Sequence, residues 1–176
     1  MKKPSRYMPK YEGKQISVLS WLFLAFLLGL LIWLIWLFPH LLLLILIFIF
    51  IQVRDERKRI KHFEILLKKR QKDSICTFAR HFKYQEVDTW VIRAVYEQLQ
   101  SYINLEKTNF PIRPSDDVFT DLKIDDEDFV YNIVEEIAER TGRSLEKAES
   151  NPYYKRANIV ENLVYFFNEQ PKINAI

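Results

Sequence analysis

A chain of 176 residues has room for one compact domain and little more, and its formal charge of +3 conceals a division of sign. Residues 1–15 sum to +4 and residues 54–72 to +6, so the +3 total leaves −7 for residues 73–176. A single cysteine, Cys76, rules out an internal disulfide and a thiolate metal cluster built from one chain, and it reads as a small buried apolar residue of a reducing compartment.

Taken from the start, residues 1–15 are a basic N-terminus, and from Ile16 to Ile51 no charged side chain occurs unless His40 is protonated. A cleaved signal has an apolar core of roughly 7 to 15 residues ending in small residues. This run is longer and ends in Gln52-Val53-Arg54, so residues 16–53 read as a membrane segment. As one straight helix it would be about 54 Å long against a hydrocarbon core of about 30 Å, which favours two passes turning at Phe38-Pro39-His40. The second arm, Leu41 to Val53, then reaches only about 20 Å, which asks for snorkelling Lys and Arg or a deep dip without full crossing. Basic residues gather on the cytoplasmic side, and both flanks are basic. The expectation is therefore a multi-pass protein of the cytoplasmic (inner) membrane with both termini cytoplasmic. His40 reads as a polar residue at the interface turn, and Trp21, Trp33 and Trp36 as interface and packing residues.

Residues 54–72 continue as a basic juxtamembrane helix. Ile60, Phe63, Leu66 and Leu67 share one side, and Arg54, Arg57, Lys58, Arg59, Lys61, Lys68, Lys69 and Arg70 are expected at anionic head groups. A nucleic-acid role is excluded by the acidic domain alongside, which repels phosphates.

Within the acidic domain, residues 73–176, a helix follows Asp88, with Val91, Ile92, Val95, Leu99, Tyr102 and Ile103 at helical spacing. The loop NLEKTNFPIRPSDDVFTDLK has no long period. A second helix starts at Asp125 as cap, with Asp128 three residues on, buries Phe129, Val130, Ile133, Val134 and Ile137, and ends at Thr141-Gly142. A third, in YYKRANIVENLVYFFNEQ, turns Ile159, Leu163, Phe166 and Phe167 inward and stops at Pro171. No alternating strand pattern occurs, and the fold class read here is all-α, a transmembrane helical hairpin followed by a small helical bundle. Acids in a first turn stabilise the helix through its dipole, but four in a row, with Glu135, Glu136 and Glu139 beyond, exceed that need. Asp125, Asp126, Glu127, Asp128, Glu135 and Glu139 are the expected binding surface for a basic partner.

The succession of long helix, long loop and acidic helix, with F-T-D-L-K-I-D-D opening the latter, resembles the acyl carrier protein family over about Thr89 to Gln170. That family opens its second helix with a phrase like D-L-G-x-D-S-L, in which the serine carries the phosphopantetheine arm. Laid on that pattern, Asp121-Leu122 and Asp125 put Asp126 at the serine position, where a carboxylate has no hydroxyl to take the cofactor. The resemblance thus implies an acyl-carrier-like bundle without carrier chemistry, similar to bacterial carrier-like domains that also place acids there. It further implies that the acidic helix docks Lys/Arg-rich partners, lipid- or polyketide-synthesis enzymes among them.

His40, His62 and His81 have no recognisable nucleophile or metal-ligand partner in sequence, and neither a P-loop nor G-x-G-x-x-G occurs. The expectation is a non-enzyme without cofactor: a membrane-anchored carrier-like protein whose partners are the lipid bilayer and a basic-surfaced protein. The alternative from another class is a membrane-anchored immunity protein against a toxin. A third is a true acyl carrier modified at Ser115, Ser144 or Ser150.

Overall fold

The computed structural model describes residues 4–8, 17–103 and 110–173, and among these the chain is helical without a strand. It divides into two compact units, Glu12–Glu64, and Met1–Tyr11 together with Ile65–Ile176. The division thus falls inside the basic stretch, and the N-terminus groups with the acidic domain.

In the first unit, α1 (Val18–Leu37) is capped by Ser17, whose Oγ accepts from Ser20 N at 3.2 Å. Its 20 residues match the hydrocarbon thickness at about 30 Å, and none is buried by protein, so its apolar side chains need another cover. Proline ends it where expected: Phe38 N still donates to Leu34 O at 2.9 Å, and the chain turns through Pro39. α2 (His40–Lys69) then runs unbroken for 30 residues, so the 53/54 boundary read from sequence lies within one helix. A second full-length apolar span is absent from the described residues. Among the described residues α1 alone is long and apolar enough to cross a membrane, because α2 becomes charged at Arg54.

The second unit is built around α4 (Thr89–Ile103), whose Val91, Ala94, Val95 and Leu99 are fully buried. Asp88 caps it as expected, Oδ1 accepting from Trp90 N at 3.1 Å. Around α4 pack α3 (Ile75–His81), α6 (Val134–Thr141) and α7 (Val160–Glu169). α3 has no counterpart among the sequence-predicted elements; Ser74 and Thr77 start it with a reciprocal capping box, and Phe78 is its buried anchor. α6 ends in a Schellman turn, Arg143 N donating to Ala138 O and Gly142 N to Glu139 O, with Gly142 at φ 63°.

Residues 104–109 of the predicted loop lie outside the described residues, and the rest of it, 110–123, is part of the core. Phe110, Ile112, Val118 and Leu122 are buried, and Val118 N to Asn158 O at 2.8 Å and Val160 N to Asp116 O at 3.0 Å join it to the entry of α7. A buried cation secures the same loop. Arg70 donates both guanidinium arms to Asp116, at 2.7 and 2.6 Å, and one of them also to Pro111 O, while its plane lies over the Phe110 ring. Arg70 is therefore not a head-group residue as expected from its basic neighbourhood: a bidentate carboxylate partner 46 residues away holds it inside the fold. Arg54, Arg57, Lys58, Lys61, Lys68 and Lys69 are exposed and Arg59 is partly so.

The N-terminal piece joins this unit. A 3-10 turn, Ser5–Tyr7, lies against α4, and Met8 is buried with its sulfur accepting from Arg140 Nη2 at 3.4 Å.

Candidate functional site

The acidic segment is held by a network one step upstream. Asp117 Oδ1 accepts from Phe119 N and Thr120 N at 2.9 and 2.8 Å, and its Oδ2 from Asn158 Nδ2 at 2.7 Å. Partial burial pushes the Asp117 carboxyl up, but the donors Thr120, Asn158 and Phe119 outweigh it and hold the group below the usual carboxylate range. Lys123 takes the left-handed conformation at φ 51°, and the chain turns into Asp125. Asp125 caps as expected, its Oδ1 accepting from Glu127 N at 3.3 Å.

The helix that follows is composite: an α-helical turn α5 (Asp126–Asp128), a π-helical turn (Phe129–Ile133) and then α6. In the π turn Val134 N donates to Phe129 O, one residue further than in an α-helix. That extra residue changes which side chains face inward. Phe129, Ile133 and Ile137 are buried and Val134 half-buried as expected, but Val130 is 47% exposed and Tyr131 68%, whereas Ala138 is buried. Asp128 closes no capping box; its Oδ1 accepts from Asn132 Nδ2 at 2.8 Å.

The six acids expected to form a surface are brought to this composite helix, and all are exposed. Asp126, Glu127, Glu135 and Glu139 make no hydrogen bond or ion pair with another side chain among the described residues. Glu136 departs from the run. It is half-buried, accepts from Gln98 Nε2 of α4, and is pushed above the usual range, mainly by burial. Beside it Arg140, nearly buried, pairs with Glu97 at 2.5 Å.

Sequence reasoning missed a groove against this helix. It has a volume of about 720 Å³ and is walled by Phe129, Val130 and Val134 on one side and by Tyr154, Leu163 and Phe166 on the other. Phe119, edge-on to Phe129 at 5.4 Å, also lines it, and Asp126, Glu135 and Lys155 contribute its charged groups. Its walls come from residues far apart in the chain, and the one local signal was the excess of apolar residues in FVYNIV over what a single stripe needs.

The histidines are dispersed. His81, expected to lack a partner, pairs through Nε2 with Glu161 Oε1 at 3.0 Å across 80 residues, both half-exposed. His40 sits edge-on to Phe38 at the turn. Among the described residues no three His, Cys, Asp or Glu side chains converge on a metal position, and Cys76 is exposed, not buried as expected. Ser115 lies in a turn, Ser144 Oγ accepts from Glu146 N, and Ser150 Oγ donates to Lys147 O. Comparisons with protein-family models, with curated proteins and with solved structures find no match to this chain.

Proposed function

We propose that this chain is a membrane-anchored, non-catalytic docking module: the apolar unit holds it in a bilayer, and Asp125 to Asp128 with Glu135 and Glu139 recruit a protein with a Lys/Arg-rich surface. The observation that carries this reading is a contrast in how the acids are employed. Asp73, Asp88, Glu97, Asp116 and Glu161 each face a cation or a histidine of the same unit. Asp126, Glu127, Glu135 and Glu139 face none among the described residues, and they share one helix. Uncompensated charge of one sign costs a domain some self-repulsion and speeds encounter with the opposite sign.

The acyl-carrier-like reading belongs to the same proposal. Its support is that Asp126 is the first residue after the cap, at the start of a helix of an all-helical unit, and that it offers a carboxylate and no hydroxyl. An enzyme of lipid or polyketide synthesis is then the class of partner to seek.

A hairpin with both termini on the cytoplasmic side of the inner membrane is the proposed topology. The feature that supports it is in the sequence: basic residues flank the apolar unit on both sides. The short apolar part of α2 is then extended by snorkelling of Arg54, Arg57 and Lys58.

The test is affinity capture by the full-length protein from gently solubilised native membranes, compared with a variant carrying Asp126, Glu127, Glu135 and Glu139 all changed to Lys, with intact mass of the bait measured alongside. A partner retained by the wild type and lost on charge reversal, with an unmodified bait mass, is the expected result. A partner indifferent to the reversal, or an added prosthetic mass, sinks the reading.

A further inference from the structure

Building on the docking reading above, we infer that the partner's docking element is an amphipathic helix with one apolar and one cationic face, and that the groove beside the π-helical turn receives its apolar side chains.

The composite helix is the first ground. With α-helical spacing, Val130 would join the stripe of Ile133, Val134 and Ile137; the π turn rotates it out, so that it walls the groove with Tyr131 and Tyr154 beside it. π-helical turns are rare and recur where a helix serves a site. Here the turn replaces a buried core contact with an exposed apolar lip, an arrangement that stability alone disfavours. At about 720 Å³ the groove lies in the range of built ligand clefts and takes several side chains of a helix spaced three and four residues apart.

Charge selects the occupant. Asp126 and Glu135 border the groove and Glu127 and Glu139 extend the negative surface, against Lys155 as the cation of its lining. A fatty acid or an anionic phospholipid would bring its own negative head to this rim and be repelled, whereas a helix with Lys and Arg beside its apolar face meets opposite charge at the rim and apolar surface within. Apolar insertion supplies affinity, and the rim supplies orientation and rate.

The probe is a fluorescent model peptide of leucine and lysine patterned to form one apolar and one cationic helical face, with a scrambled peptide of identical composition as control. Binding to the full-length protein in phosphatidylcholine nanodiscs is read by anisotropy, with empty nanodiscs subtracted. The patterned peptide is expected to bind about tenfold or more tighter than the scrambled one, a difference of about 1.4 kcal/mol. Val130→Glu, and separately Tyr131→Glu at the more exposed lip position, are each expected to weaken it about tenfold with unchanged far-UV circular dichroism. Equal binding of the two peptides, or binding indifferent to both lip variants, overturns the groove as receptor. So does displacement of the peptide by a fluorescent fatty acid or by self-association of the protein. These failures are separable from failure of the docking reading: charge reversal would still release the captured partner if only the groove assignment is wrong.

Discussion

Asp116 and Glu136 are two carboxylates withdrawn from water with opposite local arrangements. Asp116 receives both arms of Arg70 and the backbone N–H of Arg113 at 2.8 Å, so its charge is matched on both oxygens. Removing one partner of such a pair leaves an unmatched buried charge, which costs about 3–5 kcal/mol, whereas replacing both by apolar groups of similar size is far milder. Arg70→Met is thus expected to lower the urea midpoint of the full chain strongly, and Arg70→Met with Asp116→Leu to recover most of the loss, with hydrogen exchange at the α4 amides as the readout. Glu136 is the reverse case, since burial disfavours its charged form and raises its folded value above the ordinary 4.5. The unfolded chain releases this proton more readily, so the contribution of Glu136 to stability is present below the ordinary value and is lost as pH rises through the raised one. Glu136→Gln is expected to raise the melting temperature at neutral pH, by an amount that shrinks as pH falls below the ordinary carboxylate value. An equal shift at all pH values would argue against burial as the cause. Asp117 has the opposite sign. Its lowered value contributes stability above the ordinary carboxylate range that is lost as pH falls through the depressed value.

At the scale of elements, the composite helix decides which groups the acidic segment offers. Deleting Val130 converts the π turn to regular α-helix: the Val134 N to Phe129 O bond becomes an ordinary α-helical one, so Asp126 to Asp128 keep their orientation on α6 while the apolar lip is removed. The deletion is expected to leave the fold as stable as before or more so, by thermal melting, while weakening capture of the partner through loss of the Val130 lip. Full capture retained would show that the acids recruit the partner without the lip. The far end of the same helix is simpler. Gly142 holds a left-handed turn in which no neighbouring atom obstructs a Cβ, so Gly142→Ala tests backbone conformation alone. About 1 kcal/mol of destabilisation is expected by chemical denaturation.

At the scale of the whole molecule, the question is on which side of a bilayer the two flanks of the apolar unit lie. Cys76 is exposed and follows the apolar unit, and Ser5 precedes it, so labelling compares them directly. With a membrane-impermeant maleimide, native Cys76 and a Ser5→Cys introduced in a Cys76→Ser background are both expected to react in inside-out vesicles and to be protected in right-side-out ones. Reaction from opposite sides would replace the hairpin by a single span through α1.

The sequence by itself determined the elements whose signals are local: the apolar α1 and its stop at Pro39, the caps Asp88 and Asp125, the stop at Gly142, and the apolar stripes of α4 and α7. Each depends on residues within a turn or two, where periodicity, proline geometry and capping chemistry act. Tertiary structure alone decided the rest. Arg70 reads as one more basic residue until Asp116 arrives from across the fold, and His81 reads as solitary until α7 brings Glu161. Val130 fits a buried stripe until a π turn shifts the register, and the groove exists only where residues from Phe119 to Phe166 converge. Long-range pairing and register depend on packing that no short window encodes, because the energy of a contact is set by what the folded chain places opposite it.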